Sequence, residues 1–596
     1  YELGTRFSRH HQVMAYYDYL EQTVPDRIKI EPYGETYEHR KLMVAYVSSP
    51  ENIANLERIR LEQLNAAKGR GNAATAIVWL SYNVHGNESV STEASMQTAY
   101  ELITQKQDWL KNTVVIIDPC INPDGRDRYV NWYNQFANTP YQADMNSKEH
   151  NEPWLSGRTN HYMFDLNRDW AWITQTESRQ RLPLYNRWLP HVHVDFHEQG
   201  VDEPYYFAPA AEPLHEVVTD WQREFQVAIG KNHAKYFDAE GWLYFTKEIF
   251  DLLYPSYGDT YPAFNGAIGM TYEQGGSGQA GLGVMTGYGD LLTLKDRIAH
   301  HHTTGLSTVE MAAKNADRLI PEFKKFYTGR TYRYKSYVLG GNPDNVEALT
   351  RLLDAHEITY GFSNGATVKG YDYKTGKQRT LKLASPHLVV STDQVKGSLV
   401  KALFEPNAKL SDSLTYDITA WSLPYAYGLD AIASESLVSA APGTAGENPV
   451  TDPDPDAYAW ITDWNSMKDA RFLADLLKEN IRVRYSEVPF SVSGKNFDRG
   501  SLIITKTDNA ARGNFIPALS GITRKHQKSI TSAATGYVDS GRDFGSASVK
   551  MIPRVKVAVF YGKPVSTLSF GEIWHFFEQQ LRYPVTVLDA DNFDTV

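Results

Sequence analysis

The chain reads as an α/β protein: a mixed sheet with helices on both faces over its first half, then smaller accessory α/β units. Three observations carry this. Runs such as Ala76-Ile77-Val78-Trp79-Leu80 and Thr113-Val114-Val115-Ile116-Ile117 are apolar at every position, as central strands covered on both faces must be. Between them residues 91–105 show a helical pattern opened by Ser91-Thr92-Glu93, so strand, loop, helix and strand follow in order. Beyond residue 331 the pattern changes, and a length of 596 residues exceeds the roughly 100 to 200 of one ordinary domain.

Residues 1–325 are expected to form the first and largest unit. In 331–440, Tyr337-Val338-Leu339 leads to a helix over 344–357 and a return through Leu388-Val389-Val390-Ser391. In 456–550, Tyr458-Ala459-Trp460-Ile461 leads to a helix over 466–480 and closes with Leu502-Ile503-Ile504-Thr505. Each of these reads as βαβ. Residues 440–455, rich in Ala, Gly, Pro and Asp, read as a linker or exposed loop. A third start over 554–596 runs from Val555-Lys556-Val557-Ala558-Val559-Phe560 through a helix at 570–581 into Val585-Thr586-Val587-Leu588. It resembles the opening of class I glutamine amidotransferase-like domains without their nucleophile elbow. Because the chain stops just after this strand, it is expected to be a fragment of a longer protein.

Composition narrows the function. A net charge of −11, from 60 Lys+Arg against 71 Asp+Glu, argues against a nucleic-acid partner, since phosphate binding needs a clustered positive surface. Cys120 is the single cysteine, which excludes an internal disulfide and cysteine-ligated zinc clusters. At the end of an apolar run it reads as a buried, inert thiol. No run of about 18 apolar residues is present, so no membrane-spanning helix is expected. The chain opens on Tyr1, and the expected location is secreted or periplasmic after signal-peptide removal.

Any metal must therefore be held by His and carboxylates. His85-Gly86-Asn87-Glu88 follows a predicted strand, and a loop there presents two ligands three residues apart to one ion. The third comes from Pro190-His191-Val192-His193-Val194-Asp195-Phe196-His197, whose alternation reads as a strand. His193 and His197 share a face but stand roughly 13 Å apart, at about 3.3 Å per residue, so only one can reach the ion. His197 lies at the strand's carboxyl end, where open α/β sheets collect their ligands.

Six segments then follow in the order of the M14 metallocarboxypeptidases, which the chain resembles over about residues 7–310. Tyr33-Gly34-Glu35-Thr36-Tyr37-Glu38-His39-Arg40 looks like the family's Gly-x-Ser-x-Glu-x-Arg stretch, His85-Gly86-Asn87-Glu88 its first zinc motif, and Asn122-Pro123-Asp124-Gly125 the turn after the next strand. Asp165-Leu166-Asn167-Arg168-Asp169-Trp170 matches the Asn-Arg substrate anchor, Asp195-Phe196-His197 the third ligand, and Thr271-Tyr272-Glu273 the catalytic glutamate.

The resemblance implies an eight-stranded-type mixed sheet, one Zn2+ ion on His85, Glu88 and His197, and a peptide substrate with a free C-terminal carboxylate. It implies Glu273 as general base and Asn167 with Arg168 as carboxylate anchor, a task suited to a planar guanidinium. Arg158 is chosen over Arg126 and Arg128 to stabilise the oxyanion, because it lies just upstream of the anchor motif. Asp165 would accept the far ring N–H of His85. The family's loop tyrosine falls at Tyr254 or Tyr257; Tyr254 is taken as the catalytic one and Tyr257 as a substrate contact. The resemblance departs at Asn87, where the digestive branch keeps an Arg, so that residue's subsite contact is not carried over. Asp259 either faces the specificity pocket, favouring basic side chains, or is solvated on its loop.

Other patterns are weaker. Gly276-Ser277-Gly278-Gln279-Ala280-Gly281 fits a dinucleotide fingerprint but lacks its acidic partner, and reads as a flexible loop. His300-His301-His302 point in different directions on a helix and read as surface or capping residues. Glu198 points away from His197 on a strand. The expected activity is hydrolysis of a C-terminal peptide bond. The alternatives are a related amidohydrolase acting on cell-wall peptides or acylated amino acids, and a catalytically silent binding protein. Oligomeric state is left open.

Overall fold

The computed structural model describes residues 3–417, 420–444 and 450–595. Its first half is built on an eight-stranded mixed sheet. The strands are β1 (Ile28–Glu35), β2 (Lys41–Val47), β3 (Ala76–Tyr82), β4 (Thr113–Asp118), β5 (Val192–Gln199), β6 (Tyr205–Tyr206), β7 (Tyr244–Phe245) and β8 (Ile268–Gly275). Their spatial order is β1-β2-β4-β3-β5-β8-β6-β7. The central pairs β4/β3, β3/β5 and β5/β8 are parallel, and β1/β2 and β2/β4 are antiparallel.

Alternation along the strands explains why both faces are covered. Ile77 and Trp79 pack with Val114 and Ile116 against the helices Leu56–Ala67 and Thr176–Trp188 on one face. Val78 and Leu80 pack with Val115 and Ile117 against Val90–Thr104 and Leu294–Lys314 on the other. Every residue of β3 and β4 is buried, so strands with no polar face are the sequence's way of marking the centre of a sandwiched sheet. The expected fold class is the one observed.

The accessory units correct one expectation. Ser336–Gly340 is followed by the helix Pro343–Ala355 and later by His387–Ser391, but those two strands pair antiparallel within a six-stranded antiparallel sheet. Ala459–Thr462 and Leu502–Thr505 likewise pair antiparallel, in a five-stranded sheet. Neither unit is therefore the parallel βαβ expected for 331–440 and 456–550; strands added between each pair of expected strands change the path of the chain. In 554–596 Val557–Tyr561 runs parallel to Val585–Asp589, with the helix Thr567–His575 between them in sequence. The stretch 440–455 lies partly outside the described residues.

Two interfaces bind these units to the first sheet. Tyr337, Leu339, Leu349, Leu388 and Val390 of the six-stranded unit share one hydrophobic core with Trp79, Ile116 and Tyr185. Phe570 and Trp574 of the last unit pack around Trp154 and Met163. No helix among the described residues is long and apolar enough to cross a membrane.

Candidate metal centre and cleft

The loop after β3 is shaped by its own polar groups. Asn83, in the left-handed region at φ 60°, donates its side-chain amide to the carbonyls of His85 (2.8 Å) and Glu88 (2.9 Å). Gly86 lies so close to the helix Pro123–Phe136 that a Cβ would sit 2.2 Å from the Arg126 nitrogen, so only glycine lets this turn form.

The turn delivers His85 and Glu88 beside His197 at the end of β5. His85 Nδ1 lies 2.8 Å from Glu88 Oε1, and His197 Nδ1 lies 3.1 Å from Glu88 Oε2 and 3.2 Å from His85 Nδ1. All three side chains are buried, and their ligand atoms fall within 4.8 Å of one another. Two imidazole nitrogens of the same kind facing each other across a carboxylate are a donor set of two N and one O, which fits zinc with a position left open. Burial opposes the charge on Glu88, yet His85 and His197 together hold its carboxyl well below the usual range.

The far sides of both rings are also occupied. His85 Nε2 lies 2.8 Å from Asp165 Oδ1, and His197 Nε2 lies 3.0 Å from Asp195 Oδ2. Asp165 thus accepts from His85 and fixes the tautomer that turns its Nδ1 toward the centre, while Asp195 sets a negative charge beside the His197 ring. Gly258 closes over Asp195, where a Cβ would lie 2.0 Å from Oδ2. His193 takes no part: it is buried among Trp79, Trp170 and Tyr185, and burial pushes its imidazole down to about 3.

Sheet register decides the next residue. β8 runs parallel to β5 with Glu273 opposite His197, so the two side chains share a face and Glu273 lines the same cleft of about 350 Å³. Burial raises its carboxyl pKa, with the His197 imidazole opposing. Glu198, opposite Gln274, is held by Arg297 at 2.9 Å and by the Val90 amide at 2.9 Å.

Arg158 reaches the centre, donating to Glu88 Oε1 (3.1 Å) and Asp165 Oδ2 (3.0 Å). The rejected arginines are structural: Arg126 is fully buried on Glu93 at 2.6 Å, and Arg128 donates to the carbonyls of Ser156, Thr159 and Asn160, bracing the loop that carries Arg158. Arg168 lines the cleft, stacked 4.7 Å from the Tyr257 ring centre. Asn167 spans His197 Nε2 (3.2 Å) and accepts from the Gly258 amide (2.7 Å).

Tyr254 is a correction. It does not reach the cleft; its hydroxyl accepts from Trp172 Nε1 at 2.6 Å inside a cluster with Leu253, Tyr257 and Trp421. The turn that follows it brings Tyr257, three residues on, to the cleft wall instead. Asp259 is buried rather than solvated, lines the cleft, and accepts from Thr271 Oγ1 at 2.9 Å. His301 and His302, expected as surface or capping residues, are buried on Tyr205 and on Thr98 with Glu101. Cys120 is buried, its thiol pushed up to about 12 by burial. Sequence reasoning missed Tyr416, which lines the cleft from the six-stranded unit; no local pattern links it to residues so distant in the chain.

The strand ends and loops of the mixed sheet thus gather two imidazoles and a carboxylate, with a further glutamate and two guanidinium groups in one cleft. Residues 13–230 match the family described as zinc carboxypeptidase, Peptidase_M14, so the family recognised in the motifs is the one matched. That segment contains His85, Glu88, Arg158, Arg168 and His197. Among solved structures, the chain is similar to a metallo-carboxypeptidase from Burkholderia cenocepacia at 15% identity, covering 52% of this chain and 70% of that one, with a TM-score of 0.36. It is similar to the carboxypeptidase A from Helicoverpa armigera at 15% identity, covering 53% and 76%, with a TM-score of 0.36. A metallo-carboxypeptidase from Pseudomonas aeruginosa, in complex with (2-guanidinoethylmercapto)succinic acid, is similar at 13% identity, covering 51% and 68%, with a TM-score of 0.33.

Proposed function

We propose that this protein hydrolyses the C-terminal peptide bond of peptides, with Glu273 as general base and one zinc ion on His85, Glu88 and His197. The observation that carries the reading is the register setting Glu273 beside His197, in one cleft with Arg158 and Arg168. Zinc, when bound, supplies a Lewis acid that acidifies water and polarises a carbonyl.

The chain's own groups do the rest. Arg168 holds the substrate's terminal carboxylate by paired N–H donors, which places the last peptide bond at the centre. Glu273 Oε takes a proton from the attacking water and returns it to the leaving amine nitrogen. Arg158, released in part from Glu88, donates to the oxyanion as the carbonyl carbon becomes tetrahedral. Asp165 and Asp195 keep the two rings oriented throughout.

The test is C-terminal trimming of a mixed peptide library, followed by mass spectrometry. Loss of single terminal residues should stop with a chelator, return with zinc, and fall about 10²- to 10⁴-fold in Glu273→Gln with zinc content unchanged. No trimming by protein carrying one zinc per chain would overturn the reading.

A further inference from the structure

We propose that Asp417, in the six-stranded accessory unit, is an internal competitor for the substrate's terminal carboxylate at Arg168 and so sets how strongly a free C-terminus must bind. The inference rests on the reading of Arg168 as the carboxylate anchor.

Asp417 Oδ2 accepts from Arg168 Nε at 2.9 Å. The guanidinium that should meet a substrate carboxylate already holds one from its own chain, on one of its few donor edges. The neighbouring residue fixes this geometry. The Tyr416 amide donates to Asp251 Oδ2 at 2.7 Å, and the Tyr416 ring lies 5.9 Å from the guanidinium carbon and 6.0 Å from the Tyr257 ring. Further back, Ser411 Oγ donates to Glu212 Oε2 at 2.6 Å. The segment is thus tied down on the cleft's own wall and lays one carboxylate on the anchor. Both members of the pair remain partly exposed, at 27% for Arg168 and 32% for Asp417, so water and an incoming carboxylate can reach them. A partly exposed pair is worth little enough to be exchanged rather than locked. A terminal carboxylate replaces Asp417 like for like, whereas a blocked C-terminus has no charge with which to displace it.

Binding of an N-acetyl amino acid and of its C-terminal amide to the zinc-loaded protein, followed by calorimetry, tests this in Asp417→Asn and in Arg168→Gln. The expected result for Asp417→Asn is roughly three- to ten-fold tighter binding of the free acid, no change for the amide, and a lower KM with kcat unchanged. Unchanged or weaker binding of the acid in Asp417→Asn, while Arg168→Gln still loses it, overturns the competitor role alone and makes Asp417 a brace for Arg168. If Arg168→Gln binds the acid as well as the native protein does, the anchor reading fails, and this inference with it.

Discussion

Glu177 shows how single buried groups set behaviour here. It is fully buried at the start of the helix Thr176–Trp188, accepts from Asn160 Nδ2 at 3.2 Å, and burial raises its carboxyl from 4.5 to about 8. A folded pKa above the unfolded one means that the folded state keeps its proton longer. The stability this contributes is complete below about 4.5 and is lost as pH rises through about 8. Glu177→Gln should therefore flatten the fall in melting temperature between these limits and be the more stable form at pH 8, which thermal scans across the range will measure. At this scale the cluster of His85, Glu88 and His197 was legible, because His-x-x-Glu after a strand and a terminal strand histidine are local patterns. Tyr254 was misread because two tyrosines three apart on an irregular turn carry no periodicity to say which faces inward.

At the scale of elements, the centre depends on segments that touch no substrate. The helix Thr567–His575 lies against the loop bearing Arg158, with Gly571 so close that a Cβ would sit 2.1 Å from the Tyr162 carbonyl. Trp154 Nε1 also donates to the Val565 carbonyl at 2.7 Å. Gly571→Val should cost about 1–3 kcal/mol by overpacking. It should also lower kcat/KM through a displaced Arg158, with zinc content unchanged; chemical denaturation and steady-state kinetics read the two effects separately. The central strands β3 and β4 were legible from their unbroken apolar runs. The antiparallel pairing of Ser336–Gly340 with His387–Ser391 was not, because an antiparallel return through added strands and a parallel crossover share the same strand–helix–strand order in sequence.

At the scale of the whole molecule, the six-stranded unit is joined to the first sheet by a continuous apolar core. Leu339, Leu388 and Val390 are as fully buried as Trp79 on the other side, and His215 reaches across to Glu405 at 2.6 Å. Ending the chain at residue 330 would expose that face. Such a fragment should aggregate or melt far below the full chain, whereas one keeping residues 3–440 should stay monodisperse by size exclusion with light scattering. The sequence marked the change of pattern after residue 331 but carried no sign of this shared core, since complementary apolar faces on distant segments leave no mutual signature.

The ladder between β5 and β8 has a consequence for how this chain tolerates insertions and deletions. Between residues 199 and 268 the path can lengthen or shorten only away from the stretch 249–259 that lines the cleft and packs on Asp195, because hydrogen bonds across the ladder set Glu273 against His197. Within β8 the tolerance vanishes. One residue gained or lost before Glu273 would bring Tyr272 or Gln274 opposite His197 and turn the carboxylate to the far face.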